Sequence, residues 1–402
     1  MSPVGPIRLV LRRLTRRRGD GGTRREIQCD AATWWVGALS PASPRRHVAA
    51  SPRQLAVTVS LALVSTFATG CSATCYVARA AYEELRILAR RQPIERLLAG
   101  ELDAETRAKL ELALAVREFA RDRLALNVGG SYTSLARVDE RQVVHVVSAA
   151  RRDRLEPYTW WFPIVGRVPY RGYFDAADAK ALAAGLEAKG YDTYVRPAVA
   201  FSTLGWVDDP LLSNLLRYDQ VELADIIIHE LLHNTIYLAG QATFNESFAS
   251  FVGSCGAIAF FADRGDQRRA EMARTRWADD VTFSRFLDGL TEDLVSAYAR
   301  GLSKDERQAL FDVARRRFRE QEWRTDRYQD FAREPLNNAV LLHYQLYTHR
   351  LDLFDDAHAR YGHDLPAAVQ WVRATATNAE DPFAALERAL QPVESRESRV
   401  ES

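Results

Sequence analysis

Beyond a turn at Asp208-Asp209-Pro210, apolar residues recur every three or four positions with polar residues between them, the period that buries one face of a helix. The spacing predicts helices over about Val221–Ala239, Asn245–Asp263, Asp266–Arg300, Lys304–Glu334, Asn337–Leu353 and Leu365–Ala376. Ser303-x-x-Glu306 has the form of a capping box and marks one of the starts. Upstream, Tyr76–Leu98, interrupted near Pro93, carries the same period, as does Asp103–Leu126 with Asp103 as N-cap and Gly129 just past its end. The middle of the chain differs. Gln142–Val147 and Tyr191–Arg196 read as strands, and between them Asp175–Lys189 reads as a helix capped by Asp175 and stopped by Gly190. Trp160 to Phe174 is an aromatic loop punctuated by Gly and Pro, expected either to line a cleft, with Arg167 or Arg171 gripping a carboxylate, or to pack the insert on the helices. The expected fold class is therefore mainly α, an α+β protein with a small β-containing insert at about 130–205 and a helical core at about 208–376.

One predicted helix carries chemistry. His229-Glu230-Leu231-Leu232-His233 sits late in the apolar run that begins at Ala224. Two histidines four apart on a helix are separated by ~40° around the axis and ~6 Å along it, so both imidazoles can face one metal ion. Glu230, on the edge of the same face, can then take a proton from a water activated by zinc and pass it to a leaving amine. A buried helix that happens to carry two histidines is the plain alternative.

A catalytic zinc site ordinarily takes three protein ligands and keeps one position open. A further histidine after a glycine is not on offer, because Ile236 and Ala239 stand where those residues would be needed. Gly240 is expected to close the first helix as its C′ residue, and Glu246, in the first turn of the next, is the candidate third ligand. Thr243-x-x-Glu246 also fits a capping box, in which the carboxylate would bind no metal; Asp225 and Asp263 are the fallback ligands. Ligation by Glu246 is preferred because no other nearby acid completes the set so economically.

Charge is unevenly spread. Of 54 basic and 53 acidic residues, eleven arginines and three acids fall within residues 1–53, and residues 54–70 carry none, which leaves 43 basic against 50 acidic and a net charge of −7 from Cys71 onward. An acidic body argues against nucleic acid as a partner. Residues 1–50 read as an Arg-rich leader or disordered extension, and 51–70, with the uncharged run Leu55–Thr69, as a secretory h-region too short to span comfortably as a mature helix. The run ends in Ala68-Thr69-Gly70-Cys71, which resembles a bacterial lipobox, although Leu is more usual where Ala68 stands. Lipidation of Cys71 would tether a metallopeptidase domain over 71–391 to a membrane, on the periplasmic or exterior side of a bacterial envelope, with 392–402 a polar tail. A plain signal peptide and a retained anchor helix are the alternatives. Cys75 and Cys255 would remain in the mature chain, too few for a cysteine zinc site and able to pair only if the fold brings them together.

The Asn245-Glu246 pair after the two histidines resembles the glutamate-zincin metallopeptidases, with a shorter gap and with Ala249 where an Asp is usual. Over a wider span, Trp161-Phe162-Pro163-Ile164-Val165-Gly166, Pro169 to Phe174, Ser202-Thr203-Leu204-Gly205-Trp206, His229 to Val252 and Leu336-Asn337-Asn338-Ala339 resemble the putative aminopeptidase family of bacterial lipoproteins. That resemblance covers roughly Cys71 to Ala376. It implies a helical zincin-like body, a zinc ion held by His229, His233 and Glu246, Glu230 as base, and a peptide substrate. Peptide hydrolysis also calls for an oxyanion donor. Tyr237, Tyr173, His343 and Tyr344 are the candidates, with Tyr344 favoured by its helical spacing from the Asn337-Asn338 motif, and Arg171 and Tyr173 are expected at the substrate. Two other functions fit the same residues: an envelope binding protein whose motif has become structural, and a metal-dependent hydrolase of a non-peptide amide such as a cell-wall fragment.

Overall fold

The computed structural model describes residues 86–138, 144–162, 165–197 and 208–391. The Arg-rich leader, the h-region, Cys71, Cys75, the Ser202–Trp206 motif and the tail from 392 lie outside the described residues. The body is mainly helical with small sheets, as the periodicity predicts. The helices are α1 (Ile94–Leu98), α2 (Ala104–Asp122), α3 (Ala176–Glu187), α4 (Gln220–His233), α5 (Ala242–Asp263), α6 (Gln267–Ala299), α7 (Lys304–Glu320), α8 (Asn338–Thr348), α9 (Leu351–Arg360), α10 (Leu365–Ala376) and α11 (Pro382–Leu390). Among the described residues no helix is long and apolar enough to cross a membrane.

Helix starts follow the sequence closely because their caps are local. Asp103, Asp175, Asp219, Asn337 and Asp364 each accept a hydrogen bond from a first-turn amide, and Ser303 and Glu306 form the reciprocal capping box. Helix ends depart from it. The helix expected to reach Glu334 stops at Glu320, because the buried Asp279 carboxylate accepts from Arg324 N (3.0 Å), Thr325 N (2.7 Å) and Thr325 Oγ1 (2.6 Å) and holds the chain in a loop. The helix expected over Asn337–Leu353 divides at Arg350, whose φ of 51° is left-handed. Ser247 Oγ accepts from His349 N (3.0 Å) and Ser284 Oγ from Leu351 N (3.3 Å), so two serines from other helices satisfy amides at the break. Helix α11 was not foreseen.

The insert holds β3 (His145–Arg151) at the centre of a three-stranded antiparallel sheet between β6 (Tyr170–Tyr173) and β7 (Tyr191–Pro197). The expected aromatic loop is mostly strand: β4 (Trp160–Phe162) pairs with β5 (Gly166–Val168), and β6 follows directly. A second small sheet joins β1 (Gln92–Pro93), β2 (Ser134–Ala136) and β8 (Leu211–Leu212). Successive side chains on a strand point to opposite faces, and paired residues share one. Val147 and Val195, opposite each other, pack with Tyr173 on Ala179 and Ala183 of α3. The other face, carrying Ser148, Tyr170, Tyr194 and Arg196, turns to α8, where Tyr194 lies against His343 at 5.2 Å between ring centroids.

Candidate metal centre

Helix α4 begins where Asp219 accepts from Val221 N (2.9 Å) and Glu222 N (3.1 Å). Its apolar residues, including Leu223, Ala224, Ile227, Ile228, Leu231 and Leu232, are buried in the main core, which leaves Glu222, Asp225, His229 and His233 along the remaining stripe. The helix ends at His233, six residues before the expected Ala239. Thr235 Oγ1 donates back to Leu231 O (3.1 Å) and accepts from Asn127 N (2.9 Å), while Asn127 Nδ2 donates to Asn234 O (3.2 Å). A neighbouring loop thus satisfies the groups that a continuing helix would have used. Gly240, at φ 80°, turns the connecting loop rather than capping the helix, and its amide donates to Val165 O (3.1 Å).

Helix α5 starts at Ala242 with Gln241 as N-cap and no side-chain cap, so the Thr243–Glu246 capping box does not form. Glu246 is past the first four amides, the ones that lack an intrahelical partner, and its carboxylate has no orphan donor to satisfy there. Asn245 does the local structural work: its Oδ1 accepts from Leu238 N (2.9 Å) and its Nδ2 donates to Leu238 O (2.8 Å). With the loop fastened to Asn245, Glu246 projects at the histidines.

Three donor atoms converge. His229 Nε2 lies 3.3 Å and His233 Nε2 3.6 Å from Glu246 Oε2, and the ligand atoms of all three residues fall within 4.8 Å of one another. A tetrahedral zinc with bonds of about 2.05 Å has ligands separated by about 3.35 Å. The nitrogen–oxygen separations match that edge, and the donor set of two imidazoles and one carboxylate is one that zinc accepts, so these residues fit a zinc ion. The two rings lie nearly perpendicular, at 82°. His233 Nδ1 is buried without a hydrogen-bond partner among the described residues, so the ring's one engaged nitrogen is the one aimed at Glu246. The fallback acids are occupied elsewhere. Asp263 pairs with Arg123 at 3.0 Å at the far end of α5, and Asp225 accepts from Ser254 Oγ at 3.0 Å.

Close approach of α4 and α5 makes this convergence possible. A Cβ on Gly253 would lie 2.9 Å from Asp225 O and 3.1 Å from His229 Cβ, and one on Gly256 would lie 2.9 Å from Ile228 Cγ2. Behind the histidines is a buried charge network in which Arg327 faces Asp280 (3.2 Å) and Glu222 (3.4 Å), and Arg276 faces Glu222 (3.5 Å). Burial, together with the charges of Glu222 and Asp280, pushes the Asp225 carboxyl up to about 7 against the pull of Arg327 and His229.

The site groups are strongly perturbed. Burial would raise Glu246, but the charge of His233 and the hydrogen bonds from His229 and His233 outweigh it and hold its pKa well below the carboxylate range. Burial would lower His229, yet the hydrogen bond to Glu246 and the charges of Glu230, Glu246 and Asp225 raise it. Glu230 is raised, chiefly by burial, against the opposing charges of His229 and His233. Two carboxylates on neighbouring helices thus differ sharply: Glu246 is held as an anion, and Glu230 is moved toward protonation.

The family model described as putative aminopeptidase matches residues 75–384, more than three quarters of the chain. The chain belongs to the putative aminopeptidase family. A search of the curated proteins found no match, and a search of the solved structures found none. Membership in this aminopeptidase family points to a peptidase acting on peptides, and the His229–His233–Glu246 group is a place where such an enzyme could hold a metal.

Within this member of the family, the remaining expected site residues are dispersed. Tyr344 packs between Phe283 (5.4 Å between centroids) and Phe331 (5.6 Å) in the second core cluster, so the structure does not bring it to the histidines. Tyr347, one turn further along α8, faces His229 instead, at 6.4 Å between rings. Arg171 and Tyr173 share the α3 face of the sheet, with the Arg171 guanidinium 5.3 Å from the Tyr173 ring centroid, away from the α8 face. Tyr237 reaches back to Val165 O (3.4 Å) in the loop before α5, and His343 accepts from Arg196.

Three neighbours of the site escaped the sequence reading. Tyr170, on the α8 face, is raised well above 10 by burial and then by the charges of Glu246, Tyr347, Tyr237 and Glu230. Tyr132, buried and at a left-handed φ of 62°, is raised by burial and by Glu230 and Asp209. Arg196 donates to His343 Nδ1 (3.3 Å) and Tyr347 Oη (3.2 Å). The His343–Tyr347 spacing of four on a predicted helix was the available signal for a shared face. Nothing local marked Tyr132, and Tyr170 was marked only as part of the Trp160–Phe174 aromatic segment.

Proposed function

We propose that the protein is a zinc-dependent peptidase in which His229, His233 and Glu246 hold the metal and Glu230 is the general base. The observation that carries this reading is the convergence of His229 Nε2 and His233 Nε2 on Glu246 Oε2, at 3.3 and 3.6 Å, in a chain of an aminopeptidase family. Zinc held there would supply Lewis acidity toward a peptide carbonyl and a water molecule. Glu230 lies beside both histidines on α4, and burial raises its pKa toward the range in which a carboxylate can accept a proton and return it to a leaving amine. Glu246, held as an anion, keeps its charge for the metal. Tyr347 replaces Tyr344 as the oxyanion donor: burial and then Glu246 push its hydroxyl up to about 12, so it keeps its proton at neutral pH. Its oxygen accepts from Arg196 Nη2 at 3.2 Å, which leaves the hydroxyl hydrogen free to point at substrate.

The sequence motif at Ala68–Cys71 supports a further part of the proposal, a lipid anchor on Cys71 that places the enzyme on the envelope side of a bacterial membrane. The test of function is zinc content together with hydrolysis of a peptide library. One zinc per chain is expected, and Glu230→Gln should keep that zinc while hydrolysis falls by roughly 10²- to 10⁴-fold. A protein that binds no zinc, or a Glu230→Gln variant as active as the parent, refutes the reading.

A further inference from the structure

Two part-buried arginines of this fold are matched with acids. Arg327 faces Asp280 at 3.2 Å and Glu222 at 3.4 Å, and Arg307 faces Asp192 at 2.8 Å. Arg196 donates to two side chains beside the site and to a backbone carbonyl. It projects from β7 onto the α8 face, where its Nε donates to His343 Nδ1 (3.3 Å), its Nη2 to Tyr347 Oη (3.2 Å) and its Nη1 to Pro197 O (3.3 Å). All three acceptors are neutral, and among the described residues no carboxylate pairs with Arg196. Burial, and then the charge of Arg196 itself, keep His343 deprotonated, so the imidazole serves as an acceptor and adds no compensating charge. A guanidinium has five N–H donors in a rigid fork, and three are engaged among the described residues. The remaining two, on a part-buried cation beside Tyr347 and His343, suit the two oxygens of one carboxylate.

We propose that Arg196 binds a carboxylate of the substrate and selects short peptides by their free C-terminus. This rests on the peptidase reading. Arg196 touches Tyr347, whose ring faces His229 at 6.4 Å, so only a short piece of substrate separates the bound carboxylate from the reacting carbonyl. At about 3.4 Å per extended residue, that interval holds on the order of one to three residues. Such a site takes dipeptides to tetrapeptides and reads the end of the chain that an amino-terminal exopeptidase leaves unread. Arg171, the sequence-level candidate for gripping a carboxylate, lies on the opposite face of the same sheet.

The test compares tetra-alanine, its C-terminal amide, and the amide of Ala-Ala-Asp-Ala on the zinc-loaded full chain. Tetra-alanine should exceed its amide in kcat/KM by roughly 10- to 100-fold, chiefly through KM. Arg196→Met should bring that ratio close to one, and Arg196→Lys should keep part of it. Equal rates for acid and amide in the parent overturn the proposal whether or not the variants fold, as does Arg196→Met lowering both rates alike. An aspartyl amide cleaved better than tetra-alanine moves the carboxylate to a side chain and overturns the C-terminal assignment. If the zinc-loaded protein cleaves none of them, the peptidase reading fails. Calorimetric titration with tetra-alanine and its amide then decides the carboxylate site alone: tighter binding of the acid, lost in Arg196→Met, supports it, and equal binding overturns it.

Discussion

Glu246→Gln removes the charged oxygen on which both histidines converge while conserving the volume of the side chain. Its Oε2 is 3.3 Å from His229 Nε2 and 3.6 Å from His233 Nε2, close to a tetrahedral edge, so the full contribution of one ligand is at stake. Structural zinc sites with four ligands bind with about 10–16 kcal/mol, or roughly 3–4 kcal/mol per ligand. At about 1.4 kcal/mol per decade, loss of Glu246 should weaken zinc by roughly 100- to 1,000-fold. Competition against a chromophoric chelator at fixed pH measures this directly, with Glu230→Gln and Asp225→Asn as companions. Glu230 is assigned to proton transfer and Asp225 to the Ser254 and Arg327 network, so neither should approach the effect of Glu246→Gln. The ligand assignment is refuted if Glu246→Gln binds zinc within threefold of the parent, or if Asp225→Asn loses as much.

Tyr347→Phe should lower kcat by roughly 10- to 1,000-fold with zinc retained, the range for losing one oxyanion donor, whereas Tyr344→Phe should leave steady-state rates within about twofold because only its ring is used in the core. The reverse ranking would return the donor role to Tyr344. The metal-free protein should show a pH-dependent Glu246–His229 contribution. Glu246 is depressed, so its stabilisation is present above its ordinary value of 4.5 and is lost as pH falls toward the folded pKa. His229 is raised, so its stabilisation is complete below 6.5 and is lost as pH rises through the folded pKa. The Tm gap between the chelator-stripped parent and Glu246→Gln should therefore be widest between 4.5 and 6.5, and a gap independent of pH contradicts the pairing. Gly253→Leu forces apart the two helices that carry His229, His233 and Glu246. Overpacking there should cost about 1–3 kcal/mol and weaken zinc together with Tm, and a variant with parental melting and affinity would show that the helix contact is not needed.

Much of the site was legible because its information is local. Residues four apart on a helix share a face whatever surrounds them, so His229 and His233 could be paired from spacing, and Asp219, Asp175 and Ser303 announced helix starts through hydrogen bonds reaching only two or three residues. Apolar period and local caps likewise point to a mainly helical body with a small β-containing insert. Helix ends were less legible, since α4 stops where Asn127 meets Thr235, and α8 gives way to α9 where Ser247 and Ser284 satisfy amides across the break.

Tyr344 and Tyr347 show the division most sharply. They lie on one helix three residues apart, and the local spacing from Asn337-Asn338 favours Tyr344. Packing against Phe283 and Phe331 turns Tyr344 into the core, and the same rotation presents Tyr347 to His229. Strand alternation separates Arg171 from Arg196 as simply, but which face meets α8 depends on α3 covering the other. By itself the sequence determined the residues that share a helix face and hence the two histidines and their glutamate neighbour. The tertiary structure decided what stands opposite them, because contacts between distant segments are set by shape and burial across the whole core, which no short spacing encodes.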